Sequence, residues 1–292
     1  MLPASGTGPL MTSPQSQPRQ VHTARLAAKA RELRRHILLQ VHAGQSGHPG
    51  GSLGVTDVVT ALYYGIMRHD PLNPRWPGRD RFILSKGHCS PVIYAALADC
   101  GYFPLEDLRT FRRPGSHLQG HPNSAKTPGI EASTGTLGLG ISTAVGMALG
   151  GKLRGGQQHY YVLCGDGEQQ EGQVWEAAMF ANKYRLSNLI AFTDRNRLQT
   201  DGDTEQVMPL DPLPEKWRAF GWNAWEINGH DFAEIFAAVE RAQSDHGGRP
   251  TMIIANTTKG KGVSFMEGAA SWHSGPPSDA ELARALEELS HA

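Results

Sequence analysis

Short runs of consecutive apolar residues alternate along this chain with longer segments whose apolar positions recur every three or four residues. A run such as Tyr160-Tyr161-Val162-Leu163-Cys164 is too short for an ordinary helix and lacks the polar alternation of a half-exposed strand, so it predicts a strand buried on both faces. Runs of this kind predict strands over 81–85, 159–164, 188–193, 222–227 and 251–256. Helical periodicity predicts helices over 23–42, 91–100, 138–153, 172–183, 231–243 and 279–289. A further helix is expected to open with Thr56 as its cap and to bury Val58, Val59, Ala61, Leu62 and Tyr63. The 138–153 helix carries Ala144, Gly146, Ala148 and Gly150 and suits close packing on a sheet, whereas the charged last helix is expected outside the core. Strand–helix alternation with short glycine joints gives an α/β fold, a mostly parallel sheet with helices on both faces. The expected organisation is a disordered tail over 1–20, one α/β domain over 21–276 and a C-terminal helix over 277–292, with no internal repeat.

Composition narrows the function. A chain of 292 residues buries a full core, and its 28 basic and 28 acidic residues cancel. No electrostatic footprint for nucleic acid or an anionic membrane is present. No apolar run approaches the roughly 20 residues that span a bilayer. The first 20 residues are rich in Pro, Ser, Gly and Gln and lack the apolar centre of a signal peptide. Cys89, Cys100 and Cys164 are odd in number and lack metal-ligand spacing, so they are expected to be free thiols in a reducing cytoplasm.

The chemistry gathers at strand ends. Gly165-Asp166-Gly167 follows one buried run, and Asn196 lies just beyond the next. An aspartate in a glycine turn and a later asparagine supply hard oxygen ligands for one magnesium or calcium ion. Bare glycine backbone lets a diphosphate approach that ion. Strand, glycine turn, helix and strand make one βαβ unit, with both ligands at carboxyl ends of parallel strands, where open α/β sheets bind ligands. The 135–140 segment, Gly135-Thr136-Leu137-Gly138-Leu139-Gly140, opens a helix whose N–H groups suit phosphate or a polar ring, or whose glycines serve close packing; both readings stand. His48, His88, His121 and His273 sit in glycine- or proline-marked turns. Singly such histidines are solvated, but four at one sheet edge suit proton transfer to sugar hydroxyls and donation to phosphate. On the residues alone, Lys86 and the Lys259-Gly260-Lys261-Gly262 turn read as solvated basic positions rather than an anion-binding lid.

Taken together, these motifs resemble the amino-terminal, diphosphate-binding half of the transketolases over most of 27–276. The carriers are S-G-H-P-G at 46–50, D-R-F-I-L-S-K-G-H at 80–88, G-H-P at 120–122, T-G-T-L-G-L-G at 134–140, G-D-G-E-Q-Q-E-G at 165–172 and K-G-K-G-V-S-F-M-E at 259–267, ahead of Trp272-His273. The resemblance implies thiamine diphosphate with Mg2+ or Ca2+ on Asp166, Asn196 and the carbonyl of Leu198. It places His88, Gly135, Leu137, Gly167, Glu168, Asn196 and His273 at the cofactor and His48 and His121 at the donor sugar. It assigns Glu171 to a carboxylate network across a subunit interface. The implied activity moves a two-carbon ketol unit from a ketose to an aldose, both sugar phosphates by default. A separate chain is expected to supply the pyrimidine-binding half with its essential glutamate, in a two-fold heterotetramer, leaving this chain near-inactive alone. Ser274-Gly275 after His273, and Thr200 after the metal loop, depart from many relatives and leave donor preference open. The alternatives are another thiamine-diphosphate carboligase such as deoxyxylulose-phosphate synthase, or a non-catalytic binding homologue.

Overall fold

Five parallel strands occupy the centre in the order β1-β2-β3-β7-β6: β1 (Arg81–Leu84), β2 (Tyr160–Gly165), β3 (Leu189–Arg195), β6 (Asn223–Asn228) and β7 (Thr251–Asn256). The computed structural model describes residues 19–245 and 247–291; the tail expected over 1–20 lies outside them as far as residue 18, and Arg19 already begins α1. Because the central strands are continuous apolar runs, successive side chains feed opposite cores. Tyr161, Leu163, Ile190 and Phe192 enter one, and Val162, Cys164, Leu189 and Ala191 the other. A sheet of this kind is stable only when both faces are covered. On the first face lie α1 (Arg19–Ala43), α2 (Pro49–Gly54), α3 (Thr56–Ala61), α4 (Ser90–Asp99), α9 (Phe232–Gln243) and α10 (Asp279–His291). On the second lie α5 (Leu139–Leu153), α6 (Gly172–Lys183) and α8 (Leu213–Ala219).

Glycine brings α5 down onto the sheet. A Cβ at Gly140 would lie 2.5 Å from Ser85 Cα, and one at Gly151 would lie 2.3 Å from the Tyr160 hydroxyl. Between β3 and β6 the chain inserts the hairpin β4–β5 (Leu198–Gln199 and Gly202–Asp203), α7 (Thr204–Val207) and α8, none of which the periodicity signals. These pieces are short and polar, and tertiary contacts rather than local pattern define them.

Two expectations need correction. Thr56 is the first residue of α3 rather than its cap, and its hydroxyl donates back to Ser52 O at 2.9 Å. That bond continues the turn of the preceding α2. The last helix is not outside the core: Ala285 and Leu289 are buried with α1, and Arg35 donates to Leu286 O at 3.0 Å. Leu282, Ala285 and Leu289 form an apolar stripe that the surrounding charges conceal in the sequence. The cysteines are free as expected, Cys89 and Cys164 buried and Cys100 partly so. Among the described residues no helix is long and apolar enough to cross a membrane.

Candidate active site

Loops leaving the carboxyl ends of β1, β2, β3 and β7 open on one cleft of about 420 Å³. Lys86 and His88 follow β1, Asp166, Gly167 and Glu168 follow β2, Asn196 and Leu198 follow β3, and Lys259 and His273 follow β7. His48, Gly135, Leu137 and Glu171 complete the wall. The register pairs Gly165 with Asp194, so Asp166 and Asn196 emerge from adjacent strand ends.

Backbone hydrogen bonds knit these ends together. Asp166 accepts from Gly167 N at 2.7 Å and from Arg197 N at 2.6 Å, and Asn196 Oδ1 accepts from Leu198 N at 3.0 Å. Arg197 reaches this position with φ +64°, a strained backbone of the kind that functional loops retain. Burial first, and then the neighbouring charge of Asp194, push Asp166 up to about 6. Asp194 is already paired with Lys86, so the buried Asp166 carboxylate is the acid that a divalent cation would satisfy. Asp166, the Asn196 amide oxygen and the Leu198 carbonyl are all hard oxygen donors, as such an ion requires. Beside them Gly167 leaves room that a side chain would take, since a Cβ there would lie 3.3 Å from Gln199 Cβ.

Three of the four turn histidines meet ring against ring. Ring centroids are 5.1 Å apart for His48–His88, 5.6 Å for His48–His273 and 5.4 Å for His88–His273. Burial, followed by cationic neighbours, lowers His48 and His88 to about 4 and His273 to about 3. All three are therefore neutral near pH 7, each with one N–H to give and one nitrogen to receive. His273 Nδ1 accepts from Lys259 Nζ at 3.1 Å, which assigns the hydrogen to Nε2, facing the Thr200 hydroxyl at 3.3 Å. His48 Nδ1 is buried with no partner among the described residues. His121 stands one step back: a Cβ on Gly135 would lie 3.4 Å from its ring.

The two lysines overturn the solvated reading. Lys86 and Lys259 are each 2 % exposed and both line the cleft. Lys86 pairs with the buried Asp194. Burial alone would lower Lys86, but the Asp194 carboxylate overrides it and holds its pKa above the ordinary value. Lys259 has no acid partner of its own among the described residues, and burial and then the Lys86 charge lower its pKa. Two fixed cations here would offset the charge of a diphosphate. Their sequence signal was the lysine–glycine pairing, which is equally common in exposed turns.

Glu168 turns its carboxylate into the protein. It accepts from Ser85 Oγ at 2.5 Å, Gly138 N at 2.8 Å and Gly165 N at 2.9 Å, tying β1, the start of α5 and β2 into one wall. Gly138 can serve there because it caps α5 with φ +83°. Of the two readings of the 135–140 segment, close packing is realised by Gly140 on Ser85, while Gly135 lines the cleft. Glu171 sits exposed at the rim, at the start of α6.

Comparison with known proteins follows this geometry. Residues 25–291 match the family described as transketolase, thiamine diphosphate binding domain. The chain is 50% identical over 248 residues to the 6-deoxy-6-sulfo-D-fructose transketolase subunit of Clostridium sp. (strain MSTE9), covering 85% of this chain and 90% of that protein. It is 44% identical over 271 residues to an apulose-4-phosphate transketolase subunit of Phocaeicola vulgatus, covering 93% of this chain and 95% of that protein. The solved transketolase of Campylobacter jejuni superposes with a TM-score of 0.86 at 35% identity, covering 91% of this chain but 42% of the other.

Proposed function

The chain belongs to the transketolase family as its thiamine-diphosphate-binding subunit, and from that membership we propose how its residues work. Asp166, Asn196 and the Leu198 carbonyl hold a Mg2+ or Ca2+ ion that fixes the diphosphate, and Lys86, Lys259, His88, His273 and the Gly167 backbone surround the phosphate oxygens. Bound thiamine diphosphate supplies the carbon nucleophile that carries the two-carbon ketol unit from a ketose to an aldose. Gly135 and Leu137 line the ring pocket. Glu168 holds the wall in which cofactor and metal loops meet. His48 and His121 face the donor's hydroxyls, where a neutral imidazole can take a proton and return it in the reverse half of the cycle.

The site is completed by a second chain carrying the pyrimidine-binding half. Glu171 on the rim faces that chain, where it joins a carboxylate network. Exposed apolar side chains on the second face of the sheet support an interface there: Leu139 and Leu153 at the two ends of α5, Met179 and Phe180 on α6, and Tyr184 just after it. We assign the assembly as a two-fold heterotetramer acting in the cytoplasm on sugar phosphates or sulfonated sugars. The phosphorylated and sulfonated substrates named for relatives at 44% and 50% identity motivate both classes.

The observation that carries this reading is the pairing of Asp166 and Asn196 on adjacent strand ends beneath a cluster of neutral imidazoles. It is tested by assaying ketol transfer with the chain alone and with its partner. The complex should turn over at rates ordinary for enzymes, about 10 per second, and the chain alone should be near background. Full activity of the single chain would refute the split assignment.

A further inference from the structure

The loops that carry His48 and His121 share one side chain. Arg112 gives one N–H to Ser46 Oγ at 2.7 Å and another to Gly120 O at 3.5 Å, so its guanidinium spans Ser46, two residues before His48, and Gly120, immediately before His121. It does so from a costly backbone: φ at Arg112 is +59°, left-handed, where glycine is the usual occupant. Gly120 is cut to fit it, since a Cβ there would come within 2.7–2.8 Å of the guanidinium. The preceding Phe111 is fully buried and sets its ring edge where a Cβ on Gly47 would lie 3.2 Å away, which holds the Arg112 segment against the His48 loop. Among the described residues Arg112 has no acidic partner, and its Nε is buried without one. A left-handed backbone at a non-glycine residue is a strain of the kind that clusters at functional sites.

We propose that Arg112 is a positioning residue for ketol transfer, setting the spacing of His48 and His121 across the donor sugar. The inference rests on the reading that these two histidines face the donor. Arg112 does not line the cofactor cleft; with Gly120 and His121 it lines a neighbouring open cleft, and its bonds run to the two histidine loops. Its charge is one of several on these rings. His48 faces His88, Arg112, His121, Lys259 and His273, and His121 faces Arg112 and His88. Burial lowers both histidines first, and for His121 Arg112 is the next contributor.

Two variants separate charge from geometry. Arg112→Gln removes both; Arg112→Lys keeps the charge but cannot fork to two acceptors. Gly120→Ala displaces the guanidinium without altering it. In histidine-detected NMR titrations of the full chain without cofactor, Arg112→Gln should move the His121 titration upward and Arg112→Lys should leave it near the parent. In the reconstituted complex all three variants should lower kcat/KM for the donor by about tenfold to a hundredfold, the scale of a ~1 Å misplacement. Thiamine-diphosphate affinity and acceptor KM should stay near the parent values. Parent-like donor kcat/KM in Arg112→Gln or Gly120→Ala, or a parallel fall in cofactor affinity, would overturn the proposal. If His48→Ala and His121→Ala also leave donor kinetics unchanged, the reading of those histidines fails first; if they lower it while Arg112→Gln does not, only this inference fails.

Discussion

Lys86 and Asp194 form a buried ion pair across the ends of β1 and β3, with Asp194 wholly inaccessible and also accepting from Thr257 and from Asn196 Nδ2 at 2.8 Å. Removing one partner strands the other charge in the core. Lys86→Met should therefore cost about 3–5 kcal/mol of stability, measured by urea unfolding. Adding Asp194→Asn should recover part of that loss. A single variant as stable as the parent would show that the pair is not structurally required.

Glu168 is a different kind of keystone. Its three donors come from three elements, so Glu168→Ala leaves a buried hydroxyl and two buried N–H groups unpaired. A loss of at least about 2–3 kcal/mol is expected, with weaker cofactor binding in calorimetry because the Asp166 turn and the Gly135 segment, assigned above to metal and cofactor ring, share this wall. Unchanged stability would mean that these donors find other partners.

The neutral histidine cluster fixes the sign of a pH effect. His48, His88 and His273 titrate in the folded chain at about 4, 4 and 3, against about 6.5 when unfolded. Below pH 6.5 the unfolded chain takes up protons that the folded chain refuses, so stability present above that pH is lost as pH falls toward 4. The stability difference between the parent and His88→Asn should shrink on acidification from about pH 7 to 5, read from urea midpoints. A difference that grows would contradict neutral imidazoles.

Much of the fold was legible because the sheet is built from uninterrupted apolar runs. The 172–183 helix and the 251–256 strand occur with the bounds their patterns predict. The adjacency of Asp166 and Asn196 was legible too, since each follows a strand of one predicted βαβ unit. Burial of charge was not. Nothing local distinguishes Lys86 and Lys259 from solvated turn lysines; their depth comes from loops of four strands closing over them. Arg112 was invisible for the same reason, because its partners Ser46 and Gly120 lie on separate loops. The docking of α10 was hidden by a charged majority around three apolar positions.

The proposed function depends on Asp166 and Asn196 gripping one cation with the cofactor's diphosphate, and calorimetric titration of thiamine diphosphate into the chain with its partner tests this directly. With Mg2+ the parent should bind; with chelator, or in Asp166→Ala, affinity should fall at least about a hundredfold, while circular dichroism stays that of the folded chain. Undiminished affinity in folded Asp166→Ala would contradict the account.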